Sequence, residues 1–303
     1  MNRILSPASP FVVLTRALLA IISSVVFTAA ALAQTAQAQQ PSSAVANSAS
    51  PASGDTTNQS NNVLTPLPQL LFQNFFMPSV SGFPGRVADE ELIRLYWPFK
   101  VSGVQNVFRI YPTIFVKPLL PHGRNAGLGD ILTYDLALKN VGKFTLGAGP
   151  AFVIPAATHR NMGSGKWQAG VAGSVVRETS WGLLGTIVTY THSFSGYGSG
   201  RPPTQVVGVE PLAFYNLTKS GWYLRSSGIW DINYGDHNSV IPIGFGIGKV
   251  TKLRSGTIMN LNIEPQRAVH HTGAGQPIWQ ILMAANFQFP EWTKGYKSKS
   301  GKP

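Results

Sequence analysis

Trp279-Gln280-Ile281-Leu282-Met283-Ala284-Ala285-Asn286-Phe287-Gln288-Phe289 sets the reading of the whole chain. In an extended strand, successive side chains point to opposite faces. Trp279, Ile281, Met283, Ala285, Phe287 and Phe289 therefore share one face. Gln280, Asn286 and Gln288 share the other with Leu282 and Ala284. Upstream, Met259, Leu261 and Ile263 oppose Asn260, Asn262 and Glu264 in the same way. Trp222, Leu224, Trp230 and Ile232 oppose Arg225, Asp231 and Asn233, and Leu132, Tyr134, Leu136 and Leu138 oppose Thr133, Asp135 and Lys139. Ile241, Ile243, Phe245 and Ile247 alternate with Gly244, Gly246 and Gly248, which leave inner space or admit a neighbouring element.

About twelve such stretches lie near 67–77, 91–99, 107–116, 130–139, 143–154, 167–178, 181–194, 205–217, 222–234, 241–251, 257–268 and 278–289. The connections between them alternate. Those at 100–106, 140–142, 179–180, 218–221 and 252–256 are short. Those at 78–90, 117–129, 155–166, 195–204, 235–240 and 269–277 are mostly longer and rich in Gly, Pro, His, Asn and Ser. An antiparallel up-and-down transmembrane β-barrel of 10–12 strands has this asymmetry, with tight periplasmic turns, longer outer loops and an even strand count. The chain is thus expected to be all-β and to sit in a bacterial outer membrane.

A soluble sandwich would also alternate. Past the N-terminus no apolar run approaches the roughly 20 residues of a spanning helix, and charged residues are 12% of the chain, about half the usual globular share. Trp181 and Trp222 follow short turns, and Trp167 and Trp279 follow long loops. Those are the positions of two interfacial girdles.

The ends read differently. Residues 1–38 have the layout of an export signal: Arg3 and Arg16, an apolar stretch from Ala17 to Ala33, then small-residue sites at Ala31-Leu32-Ala33 and Ala36-Gln37-Ala38. Residues 39–66 are low in large apolar side chains and are expected to form a disordered leader, or alternatively a plug. The barrel is expected over 67–290 and a solvated basic tail over 291–303. Half of the net charge of +12 lies in Arg3, Arg16 and four tail lysines, and no face mixes basic and aromatic residues as a nucleic-acid surface does. Lipids and lipopolysaccharide of the outer membrane, the barrel-assembly machinery and a small-molecule solute are the expected partners.

Several segments carry a resemblance: Gly127-Leu128-Gly129-Asp130, the run Gly147 to Pro155, Gly165-Lys166-Trp167-Gln168-Ala169-Gly170, Gly221 to Ser226, Gly246 to Val250, and the ending Phe287-Gln288-Phe289-Pro290. Together they resemble the outer-membrane transporter family linked to meta-pathway phenol degradation, sometimes mislabelled neuromedin U. The match covers roughly 127–290. It implies an outer-membrane barrel passing small, often aromatic or hydrophobic, molecules. It transfers no functional residues.

Catalytic and cofactor motifs are weak. With no cysteine, thiolate chemistry is excluded. Gly163-Ser164-Gly165-Lys166 lacks the first glycine and the final Ser/Thr of a phosphate loop. An outer-membrane lipid hydrolase, the less favoured alternative, would need His192 and Ser193 or Ser195 on one face, which a regular strand does not give and only a bulge would. The six histidines fall in or beside the long loops, where a metal site would need three or four of them to converge and solvation is the ordinary state. No cofactor and no enzymatic activity are expected. Arg109, Asp135, Lys139, Glu210, Arg225, Asp231 and Glu264 are the candidate lumen residues, forming either a selective constriction or a paired network that closes a non-conducting structural or surface-binding barrel.

Overall fold

The computed structural model describes residues 53–196, 200–217 and 220–293. The signal-like stretch 1–38, the leader up to residue 52 and all but Glu291–Thr293 of the tail lie outside them.

Twelve antiparallel strands close into a barrel. They are β1 (Gln69–Val80), β2 (Ala88–Val101), β3 (Val104–Tyr111 and Thr113–Pro118) and β4 (Arg124–Leu128 and Ile131–Val141). β5 (Phe144–Ile154), β6 (Trp167–Glu178), β7 (Gly182–Ser195) and β8 (Gln205–Asn216) follow. β9 (Trp222–Ser226 and Trp230–Asn233), β10 (Asn238–Gly244 and Gly246–Lys252), β11 (Ile258–Thr272) and β12 (Pro277–Gln288) complete the wall. β1 pairs with β12 from Gln69↔Gln288 onward, so no sheet edge is left open.

Turn chemistry fixes one end. Val101 pairs with Val104 around Ser102 and Gly103, whose φ values of 48° and 82° give the double positive φ of a type I′ hairpin. Val141 pairs with Phe144 around Gly142. The end carrying these turns also holds the start of β1 and the end of β12. At the other end, connections 155–166 and 196–204 are long. Those at 234–237 and 273–276 are tight, because β10, β11 and β12 run further than their sequence pattern suggests.

The inside and outside are inverted relative to a soluble protein. Phe245, Trp97 and Trp279 are 79%, 57% and 46% exposed, whereas Arg109, Glu264, Gln266 and Gln288 are fully buried. Apolar side chains thus form the outer surface and amides and charges line the lumen.

β4 is the exception to the expected faces. Leu132, Tyr134, Leu136 and Leu138 point inward and pack with Val107, Leu64 and Val63. Asp135 and Lys139 therefore point outward, Asp135 lying opposite the exposed Phe108, and neither lines the lumen. Alternation marks two faces without saying which is inner; pairing with β3 decides it, since Arg109 stands opposite Tyr134.

The disordered reading of the leader does not hold for its last part. Helix α1 (Ser53–Asn61) and the turn to Leu67 sit inside the short-turn end of the barrel, with Thr57, Asn58, Ser60, Asn61, Asn62 and Leu64 all buried.

Candidate functional site

The lumen is divided into three levels. At the long-loop end is a cavity of about 680 Å³, lined among others by Phe75, Met77, Phe115, Lys117, Asp231 and Val240. Its apolar part is continuous with a cluster of Phe75, Met77, Val80, Ala88, Leu282 and Ala284. Of the candidate lumen residues, Asp231 faces this vestibule.

The vestibule is narrowed by connection 155–166, which folds over it. Asp130 holds that loop: its Oδ2 accepts hydrogen bonds from the Ser164 backbone N–H at 2.6 Å and from Ser164 Oγ at 2.8 Å. Arg201 donates to the carbonyls of Gly163 and Arg160, and Lys166 Nζ donates to the Arg201 carbonyl at 2.7 Å. Lys166, the last residue of the phosphate-loop fragment read in the sequence, is thus a buried loop anchor. A Cβ on Gly127 would lie 2.0 Å from Thr158 Oγ1, and one on Gly129 2.5 Å from the Phe115 ring. The Gly-Leu-Gly-Asp motif is therefore a docking surface for the loop.

The middle level is a layer of paired charges and tyrosines. Arg94 on β2 reaches across to Glu210 on β8, with Nη1 at 3.0 and 2.9 Å from the two carboxylate oxygens. Arg109 on β3 is fully buried; its guanidinium carbon lies 4.3 Å from the Tyr96 ring centre, and it donates to the hydroxyls of Tyr111 and Tyr134 at 3.3 Å. Those hydroxyls are 2.6 Å apart.

On the opposite wall, Glu264 Oε2 accepts from Arg225 Nε at 2.8 Å, and Oε1 from the Ser227 backbone N–H at 3.0 Å. This second contact has a backbone cause. β8 pairs with β9 as far as Ala213↔Ser226 and resumes at Val209↔Trp230, so Ser227–Ile229 leave the ladder. Pro211 and Pro242, which have no N–H to donate, stand on the flanking strands there. Glu264 satisfies the N–H that the wall leaves unpaired.

Gly244, Gly246 and Gly248 face inward, yet they do not open the lumen. A Cβ on Gly248 would lie 2.3 Å from the Tyr223 hydroxyl, and one on Gly246 2.6 Å from Glu264 Cβ. The glycines let Tyr223, Glu264 and Gln266 lie flat against β10, so neighbouring side chains fill the space that the sequence suggested was free.

The third level is the plug. Asn58 Nδ2 donates to the Thr179 carbonyl, Asn62 Nδ2 to Glu178 and Asn216 Nδ2 to Asn58. Asn260 Nδ2 donates to Ser60 and Asn61, and Gln288 to the Ser60 carbonyl. Arg109 donates to the Val63 carbonyl, joining the plug to the middle layer. The plug does not fill its section: a cavity of about 400 Å³ remains beside Gln59, Leu64, Gln105, Leu138 and Glu178.

Arg94, Tyr96, Tyr111 and the Asn58–Asn62 run do not stand out in the sequence, and Tyr134 stands there only as one of the apolar face of its stretch. Arg94 and Tyr96 alternate with Leu95 and Trp97, which was the available signal for the first two. Trp167, Trp181, Trp222 and Trp279 are all exposed on the outer surface near strand ends. His192 is exposed while Ser193 is buried on the opposite face, so that pair does not meet. Among the described residues no three His, Cys, Asp or Glu side chains group as a metal site would require.

No family model matches the sequence, and no curated protein matches it. Among solved structures, the chain is similar to an outer membrane channel from Pseudomonas putida F1, with a TM-score of 0.54 and 10% identity over 74% of this chain and 94% of that chain. At that identity the likeness concerns the fold.

Proposed function

We propose that the chain is an outer-membrane channel for small, weakly polar molecules, with its short turns in the periplasm. The observation that carries the reading is the plugged lumen. An apolar-surfaced barrel encloses a vestibule of about 680 Å³, and the segment that leads into β1, docked on the wall by hydrogen bonds, obstructs the far end. A barrel wall that merely needed filling could be filled by its own side chains; a docked segment can leave. The likeness to a solved outer membrane channel and the motif resemblance to phenol-pathway transporters support the same reading. The part-apolar vestibule, with Phe75, Met77 and Phe115, suits aromatic or aliphatic solutes better than sugars.

A structural, non-conducting barrel is the second reading, favoured by the buried Arg94–Glu210 and Arg225–Glu264 pairs that bridge the middle level. Liposome permeation separates the two. Vesicles carrying the protein should admit a small phenol faster than empty vesicles, after correction for leak through bare lipid, and faster than a sugar of similar mass. Equal rates with and without protein would favour the structural barrel.

A further inference from the structure

Charge is unevenly shared between the two ends of the barrel. At the short-turn end, one arc carries Lys100, Lys139, Lys143 and Arg177, all exposed. A second arc carries Lys249, Lys252 and Arg254, also exposed. The acidic side chains described at this end are Glu178, which accepts a hydrogen bond from the plug, and Glu291. The chain leaves the barrel here as well, and the next ten residues in sequence include Lys294, Lys297, Lys299 and Lys302. At the long-loop end, Arg124, Arg160 and Arg267 are interspersed with Asp89, Glu91 and Asp236.

The basic arcs stand at the level of the outward aromatic side chains. The Arg177 guanidinium carbon lies 5.6 Å from the centre of the exposed Phe144 ring, and Lys249 Nζ lies 5.0 Å from the Trp222 ring. Trp181 and Tyr215 pack at the same rim, 6.1 Å apart. Indole and phenol rings settle at the boundary between acyl chains and headgroups. Lysine and arginine held against them present their charge to lipid phosphates in that layer.

From this we infer that the short-turn rim is a collar that gathers anionic phospholipid headgroups, such as phosphatidylglycerol, from the leaflet it faces. The collar rests on the proposed outer-membrane reading. Each basic residue near a membrane surface raises the local concentration of anionic headgroups by about fivefold before screening, and screening confines the effect to roughly 8 Å. The enrichment is therefore local to the two arcs.

The test uses the full chain, reconstituted into phosphatidylethanolamine vesicles with a minority of phosphatidylglycerol. Flotation first establishes insertion. The protein is then extracted gently, and its retained lipid is measured by mass spectrometry. The collar predicts phosphatidylglycerol retained at several times its bulk ratio. Replacing Lys139, Lys143, Arg177 and Lys249 together with Gln, which leaves Lys100, Lys252 and Arg254 in place, should lower that enrichment at least about twofold. Replacing Arg124 and Arg267 with Gln at the other end should leave the enrichment in place. A floating protein with bulk lipid ratios, or equal loss in both variants, overturns the collar alone. A protein that does not float with the vesicles overturns the membrane reading beneath it.

Discussion

Arg109→Gln should loosen the plug without opening the wall. Arg109 is fully buried, its neighbours are Tyr96, Tyr111 and Tyr134, and outside the wall it donates to the Val63 carbonyl of the plug. A hydrogen bond from a charged donor contributes a net of about 1.5–3 kcal/mol. Losing it should raise the population of the undocked plug by roughly 10- to 150-fold. The assay is direct because the chain has no cysteine. Thr57 is 2% exposed in helix α1, so a Thr57→Cys reporter should react with a maleimide only while the plug is out. In the Arg109→Gln background its labelling rate should rise by about 10-fold or more, with Arg109→Lys in between. The reasoning is refuted if the rate stays within about threefold of the parent in a variant that remains folded, because the amide contacts at Asn58, Asn62 and Ser60 would then hold the plug by themselves.

Glu264→Gln strands a buried arginine and should destabilise the barrel by about 3–5 kcal/mol, read as a lower temperature for the shift between folded and unfolded bands on a gel. Glu264→Leu with Arg225→Met should recover part of that loss; a single variant as stable as the parent would contradict the pairing. Gly246→Ala should cost most of the folded yield, since its Cβ would lie 2.3 Å from the Ile263 carbonyl oxygen, and normal assembly would show that β10 can move aside. An epitope tag at Gly275, where the nearest side chain to an added Cβ is 4.0 Å away, should be reachable on intact cells. One at Gly142, with nothing within 4 Å, should not; the reverse pattern would invert the membrane orientation.

The strand positions and most faces are legible in the sequence because burial on one side only imposes a period of two. The β12 stretch from Trp279 to Gln288 keeps the faces its pattern announces: Trp279 and Met283 point out, Gln280 and Gln288 in. β4 shows the limit. Its leucines alternate just as cleanly, but pairing with β3 turns them inward, where Leu64 and Val63 of the plug pack against them. An apolar stripe does not say whether its partner is lipid or a segment folded in from elsewhere in the chain. The plug escapes notice for a related reason. Its Asn, Ser and Thr residues cannot form an ordinary core, yet inside this lumen they meet Asn216, Asn260 and Gln288, and hydrogen bonds in an enclosed space replace apolar burial. Glu210, Arg225 and Glu264 were visible as inward charges, but Glu210's partner needed the barrel to close: Arg94 and Glu210 are 116 residues apart.

The central claim is that this barrel conducts and that its N-terminal segment limits passage. Single-channel recording in planar bilayers, comparing the full chain with a variant lacking residues 53–66, tests it most directly. The account predicts small or brief openings for the full chain and a several-fold larger, steadier conductance once the segment is gone, with both proteins shifting on heating as folded barrels do. Silence from both, with folding intact, would contradict it, because the layer of Arg94, Glu210, Arg109 and the tyrosines would then close the lumen without the plug.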